Sequence, residues 1–314
     1  MNKDKSEEPE PPQHISSTRV ILTSFLVDVS DVIINLVTAF VSGSIVVWAE
    51  FLQGAADFIA SGFLLVGIRR SRIEPDKKHP FGHGKELYFW TLLSAIVMVT
   101  VAASFSIYFG IRRIFNPEQI TNIPLALGVL LFATITNGYA LSLSLRRLMG
   151  SQEVGNLWQV FWHSPHVETK NAFVQDLMGT SSACVGLISL TLYLTTGITA
   201  FDGIGATLVG VILAVLAVSL IHGLHDLVIG RSAPKKVEEK IRSTVLSVPE
   251  VVEILDLRTM IVGSDKFLVN IEVHMQDQLT TDQLEKLIDK IKDEVQGDIP
   301  SISHIQVELE SPEG

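Results

Sequence analysis

The residues that invite chemistry in this chain are carboxylates and amides set inside long apolar runs. Glu50, Gln53 and Asp57 follow one another at i, i+3 and i+7 in the run 45–68, a spacing that puts all three on one face of a helix. Asp28, Asp31 and Asn35 repeat that spacing in the run 20–41. Asn137 interrupts a further run, and Gln175, Asp176 and Thr180 interrupt another. A charged side chain at the centre of a membrane helix costs at least about 2.5 kcal/mol, so those that persist line a polar path, pair with one another or hold an ion. Asp57 and Asp176 sit about two or three turns inside their helices, too deep for the side chain to reach the interface easily. Glu50 lies nearer the opposite end of its run, where it serves an exit path or the interface. For Asn35, Asn137, Gln175 and Thr180, interhelical hydrogen bonding that holds a bundle together explains the positions equally well.

Such stripes need membrane-crossing helices to carry them. The hydrophobic fraction is 47% and the mean hydropathy +0.37, and the runs are long enough to cross a hydrocarbon layer that needs roughly 20 residues. Six spans are expected at 20–41, 45–68, 87–111, 123–145, 173–194 and 204–227. Fifteen of the 24 Lys and Arg fall on the side of the N-terminus, the 69–85 and 146–170 loops and the 231–236 linker, against Arg112 and Arg113 on the other side. The positive-inside rule then puts both termini in the cytoplasm. Residues 1–17 read as a disordered stub, 18–232 as the transmembrane domain and 233–314 as a cytoplasmic domain. The stub lacks the pattern of a cleavable signal, which favours a prokaryotic inner membrane. The single cysteine, Cys184, excludes an internal disulfide or thiolate cluster, so any metal site uses N and O donors. The sequence contains no nucleophile–base arrangement or phosphate loop, so neither an enzyme nor a bound cofactor is expected. A net charge of −10 argues against nucleic-acid binding.

From residue 233 the pattern changes to helix, two alternating strands around Gly263-Ser264-Asp265, a helix opened by the capping-box pair Thr280 and Gln283, and a last strand. The order αββαβ predicts an α+β sandwich with helices on one face. Residues 234–314 carry 17 acidic and nine basic side chains, and two such domains side by side would repel unless cations intervened. His274 and His304, on the polar faces of strands, are candidate ligands there, although two exposed histidines on an acidic surface also need no special role. His163 and His166 in the loop before the fifth span are candidates for an entry site. His79 and His83 flank Pro80-Phe81-Gly82 and read at least as well as turn chemistry. His222 and Asp226 stand four apart at the end of the sixth span.

The chain resembles the cation diffusion facilitators, in the branch related to mitochondrial-type zinc carriers. The resemblance rests on Gly43-Ser44, the frame Ala49-Glu50-x-x-Gln53-x-x-x-Asp57, Gly67-Ile68-Arg69-Arg70-Ser71 and His79-Pro80-Phe81-Gly82-His83-Gly84-Lys85-Glu86, followed by Phe201-Asp202-Gly203-Ile204-Gly205, Ile229-Gly230 and Arg258-Thr259-Met260. It implies a homodimer with a six-helix bundle and a ferredoxin-like cytoplasmic domain, exchanging a divalent metal, most often zinc, for protons. It also implies that Asp57 and Asp176 bind the transported ion. Departures accompany it: Gln53 stands where this branch usually has His, Gln175 where it has Glu, and Asn137 where a Glu is common. Loss of the imidazole leaves mostly oxygen donors and turns the preference from Zn²⁺ toward harder ions such as Mn²⁺ or Mg²⁺, with Fe²⁺ also in range. Proton coupling then has to run through the carboxylates. A second expectation stays open beside the transporter, that of a non-transporting partner subunit or membrane-anchored metal sensor.

Overall fold

Apolar runs separated by glycine and polar turns become long helices, and a computed structural model describes them for residues 17–149 and 167–311, with side chains for 29–149 and 169–311. Residues 1–16 of the expected stub and the loop bearing His163 and His166 lie outside the described residues, as does the side chain of Asp28. Helix α1 (Ser17–Ser42) turns at Gly43, φ +66°, into α2 (Ile45–Ser71), whose N-cap Ser44 accepts from the Val47 amide. The next span comprises α3 (Glu86–Val97), a π-helical turn (Met98–Ala103) and α4 (Ser104–Phe115). Helices α5 (Ile123–Met149), α6 (Val167–Thr196) and α7 (Ala200–Ile229) complete the bundle. The spans from α2 to α7 are each long and apolar enough to cross a membrane, and residues 29–42 add a shorter apolar stretch within α1. The sequence marks 87–111 as one continuous helix, whereas the backbone widens into a π turn at its centre, where Ser104 Oγ donates to Val99 O.

Helices α1, α2, α6 and α5 pack in a ring, while α3 and α4 lie along α7. Small residues set that second packing: a Cβ added at Gly110 of α4 would fall 2.8 Å from Gly203 O of α7, so the two backbones touch directly.

The tail follows the expected αββαβ order: α8 (Lys235–Leu246), β1 (Val251–Gly263), β2 (Lys266–Met275), α9 (Thr281–Asp298) and β3 (Ile302–Leu309). Strand β2 is central, antiparallel to β1 and parallel to β3, as a helical crossover requires. The Thr280–Gln283 capping box opens α9. Phe267, Val269, Ile271, Val273 and Met275 bury one face of β2, and Ile241, Val245, Ile291 and Val295 from the helices are likewise buried. This is a six-helix membrane bundle carrying a ferredoxin-like domain.

Candidate functional site

Asp57 is half-buried on α2, and Gln53, one turn away and buried, donates its side-chain amide to Asp57 Oδ2. Asp176 stands on α6, which packs directly against α2. Its carboxylate is hydrogen-bonded by Ser144 of α5 and lies near Arg147. Gln175 is engaged elsewhere: its Oε1 accepts from Asn171 Nδ2 at 3.2 Å. Asn137 of α5 lies against Gly179 of α6, where an added Cβ would come 3.1 Å from its Nδ2. Thr180 Oγ1 donates to Asp176 O at 2.7 Å, a back-bond within its own helix. Thus α2 supplies the Gln53–Asp57 pair and α5 with α6 supplies Ser144 and Asp176. Gln175 turns to its own helix, and the hydroxyl of Ser144 is a partner that spacing did not reveal. Oxygen donors of this kind, carboxylate, amide and hydroxyl, are what a divalent cation of intermediate hardness accepts.

At the end of the bundle far from the tail, Asp202 is 0% exposed at the start of α7. It accepts from Ser44 Oγ at 2.6 Å, Ile45 N at 2.8 Å and Val46 N at 3.0 Å, capping the N-terminus of α2 from another helix. Arg113 at the end of α4 donates Nε to the same carboxylate at 3.2 Å, a further N–H to Gly43 O, and Nη1 to Glu118 at 2.8 Å. The helix that carries Gln53 and Asp57 is therefore anchored at its far end to α4 and α7. The Phe201-Asp202-Gly203 stretch is conspicuous in the sequence, but the apolar run 204–227 carries no sign that Asp202 serves α2.

A three-ligand cluster lies at the tail-facing end, in the loop between α2 and α3. Ligand atoms of Asp76, His79 and His83 all fall within 4.8 Å of one another. Lys78 N and His79 N donate to Asp76 Oδ1 at 2.8 and 2.6 Å, an Asx-type turn. These bonds, that from His79 foremost, hold the Asp76 carboxyl below its ordinary range. His79 Nδ1 is 3.4 Å from Asp76 Oδ1, His83 Nε2 is 3.7 Å from Asp76 Oδ2, and Gly82, φ +82°, lets the chain fold His83 back over His79. Two imidazoles and a carboxylate suit a transition-metal dication. Turn chemistry and ligand geometry coexist here. The spacing Asp-x-x-His-x-x-x-His is i, i+3 and i+7, as on one face of a helix, but Pro75 and Pro80 interrupt the segment and a turn brings the three together instead; three ligand-type residues within eight around a Pro-Phe-Gly turn were the available signal.

The tail histidines are not brought together within the chain. His274 pairs with Glu253 and His304 with Leu268, so about six residues of strand, roughly 20 Å, separate them. His304 instead meets Phe81 of the α2–α3 loop, ring centroids 5.4 Å apart. At the end of α7, Asp226 lies 3.5 Å from His225, the neighbour of His222.

Comparison with known proteins follows the same division. Residues 21–223 match the cation efflux transmembrane domain, and 233–312 match the cation efflux protein, cytoplasmic domain. Metal tolerance protein C4 of Arabidopsis thaliana is 24% identical over 240 residues, 76% of this chain and 52% of that protein. The mitochondrial proton-coupled zinc antiporter SLC30A9 of Xenopus laevis is 25% identical over 270 residues, 84% of this chain and 47% of its own length. This chain thus spans about half the length of those two relatives. The manganese efflux system protein MneP of Bacillus subtilis (strain 168) is 22% identical over 272 residues, 86% of this chain and 87% of that protein. With both of its parts matched in order, the chain belongs to the cation efflux, or cation diffusion facilitator, family.

Proposed function

We propose that this protein is a homodimeric secondary transporter that carries a divalent metal ion out of the cytoplasm in exchange for protons. The observation that carries the reading is the placement of Asp57 and Asp176 within the spans of two directly packed helices, with Gln53 and Ser144 as their hydrogen-bond partners. Metal enters from the side of the tail, which the charge of the loops assigns to the cytoplasm, and binds between α2 and α6. Rocking of the α1, α2, α5 and α6 ring against α3, α4 and α7 then opens the site to the opposite side. The two aspartates release metal and take protons in its place. Zn²⁺ is the cargo suggested by the antiporter relative and Mn²⁺ by the efflux relative. The amide at Gln53 favours the harder ion. Residues 1–17, 18–232 and 233–314 serve as stub, transport domain and cytoplasmic domain, the last supporting dimerisation.

The loop cluster of Asp76, His79 and His83 favours a second reading, a membrane-anchored metal sensor, since it combines ligand geometry with direct contact to the tail. Uptake of Zn²⁺, Mn²⁺ and Fe²⁺ into proteoliposomes, with and without a pH gradient, separates the two. Saturable, gradient-sensitive flux that Asp57→Ala abolishes is expected of the transporter. Absence of flux for every ion, with binding retained at the loop, would establish the sensor instead.

A further inference from the structure

Beyond Gln53 and Asp57, toward the end far from the tail, oxygen donors from three helices converge. Glu50 of α2 is 2% exposed, and Ser182 Oγ of α6 donates to its Oε2. Asp31 of α1 is close enough to Glu50 for their charges to repel. Its approach to α2 is made at Gly54, one turn from Glu50, where an added Cβ would lie 3.5 Å from Asp31 Oδ2. Among the described residues neither carboxylate has a basic partner: Ser182 and Asn35 are their hydrogen-bond donors. Asn35, one turn beyond Asp31, is 0% exposed. Its side chain hydrogen-bonds the Asp31 carboxylate and lies 3.1 Å from Asp31 O, while Oδ1 of the same amide is buried without any hydrogen-bond partner.

Two features are therefore unresolved among the described residues: a pair of carboxylates with no counter-charge, and a buried acceptor left unpaired, which costs free energy through its lost hydration. A single cation answers both. The donors are all oxygen, which suits a hard or intermediate dication. We propose that Asp31, Glu50 and Asn35 Oδ1, with Ser182 orienting the Glu50 carboxylate, form a second divalent-cation site between Asp57 and the far mouth of the bundle. Its role as a station on the exit path rests on the transport reading; its existence as a site does not. Passage requires an ion to be held firmly enough to enter and loosely enough to leave, and a second site makes departure from the first easier.

Equilibrium dialysis of the full-length chain in detergent against Mn²⁺ alone counts the bound ions. Glu50→Gln and Asp31→Asn are each expected to lose one Mn²⁺ per chain, in addition to the loss caused by Asp57→Ala. Ser182→Ala removes only a hydroxyl and is expected to weaken that ion's binding about tenfold, as loss of a hydrogen bond to a charged group does. A count unchanged in both carboxylate variants would overturn the site, and would assign the pair to a shared proton. In proteoliposomes, Glu50→Gln is expected to lower kcat for Mn²⁺ about tenfold with KM unchanged. A lost ion with undiminished flux would overturn the station on the path. Lack of flux in the unaltered chain would sink the transport reading alone, since the ion count decides the site without it.

Discussion

Gln53 is the residue on which ion choice turns. It is buried one turn from Asp57 and its amide nitrogen already reaches that carboxylate, so a ligand introduced there needs no movement of α2. An imidazole in its place adds the nitrogen donor that zinc prefers. Gln53→His is expected to raise the ratio of kcat/KM for Zn²⁺ over Mn²⁺ at least about tenfold. Parallel uptake assays for the two ions measure it, and an unchanged ratio would disconnect Gln53 from the transported ion. How legible each residue was depended on its surroundings. Asp57 and Asp176 stood out because carboxylates are rare in apolar runs, whereas Ser144 and Ser182 did not, since a serine in a membrane helix most often bonds its own backbone.

At the scale of elements, α2 is held by its far end. Asp202 caps it from α7 while Arg113 of α4 neutralises Asp202, and both side chains are almost wholly buried. Removing one partner of such a pair leaves the other charged and desolvated, at a cost of about 3–5 kcal/mol. Asp202→Asn keeps the shape and loses the charge, so thermal unfolding of the detergent-solubilised chain is expected at a clearly lower temperature. Glu118, which meets Arg113 from an exposed position, makes the contrast: Glu118→Ala costs under about 1 kcal/mol. Equal effects of the two substitutions would refute the anchoring role. The π turn in the third span belongs to this scale as well. It packs against α2 and α7 and follows from their tertiary company, because residues 98–103 contain neither proline nor glycine.

The whole molecule is joined where the α2–α3 loop meets the tail. Lys85 Nζ donates to Val228 O at 3.2 Å and lies 3.7 Å from Met260 Sδ, and a cavity of 310 Å³ there is lined by His79, Phe81, His83, Lys85, Met260 and Val262. Gly84 makes the closest approach, since a Cβ would collide with Val262 O and Gly263 Cα, backbone atoms that cannot swing aside. Gly84→Val is expected to force loop and tail apart. Amide hydrogen exchange in the full-length chain should then rise at residues 260–263, and unchanged protection there would show that the contact does not hold the tail.

Composition, charge and periodicity by themselves determined the helical bundle, the αββαβ tail and the candidate status of Asp57 and Asp176, because each depends on local pattern or on the cost of charge in an apolar run. Only the tertiary structure decided which donors share a site. Gln53 reaches Asp57 within one helix, as spacing predicts, but Gln175 turns to Asn171, Asp202 serves a helix about 150 residues earlier, and His304 leaves His274 for Phe81. Asp76, His79 and His83 carry a helical spacing, i, i+3 and i+7, yet converge through a turn that Pro75 and Pro80 keep from being a helix. Sequence spacing reports neighbours along one element; the packing of different elements, set by where small residues allow backbones to touch, chooses the rest.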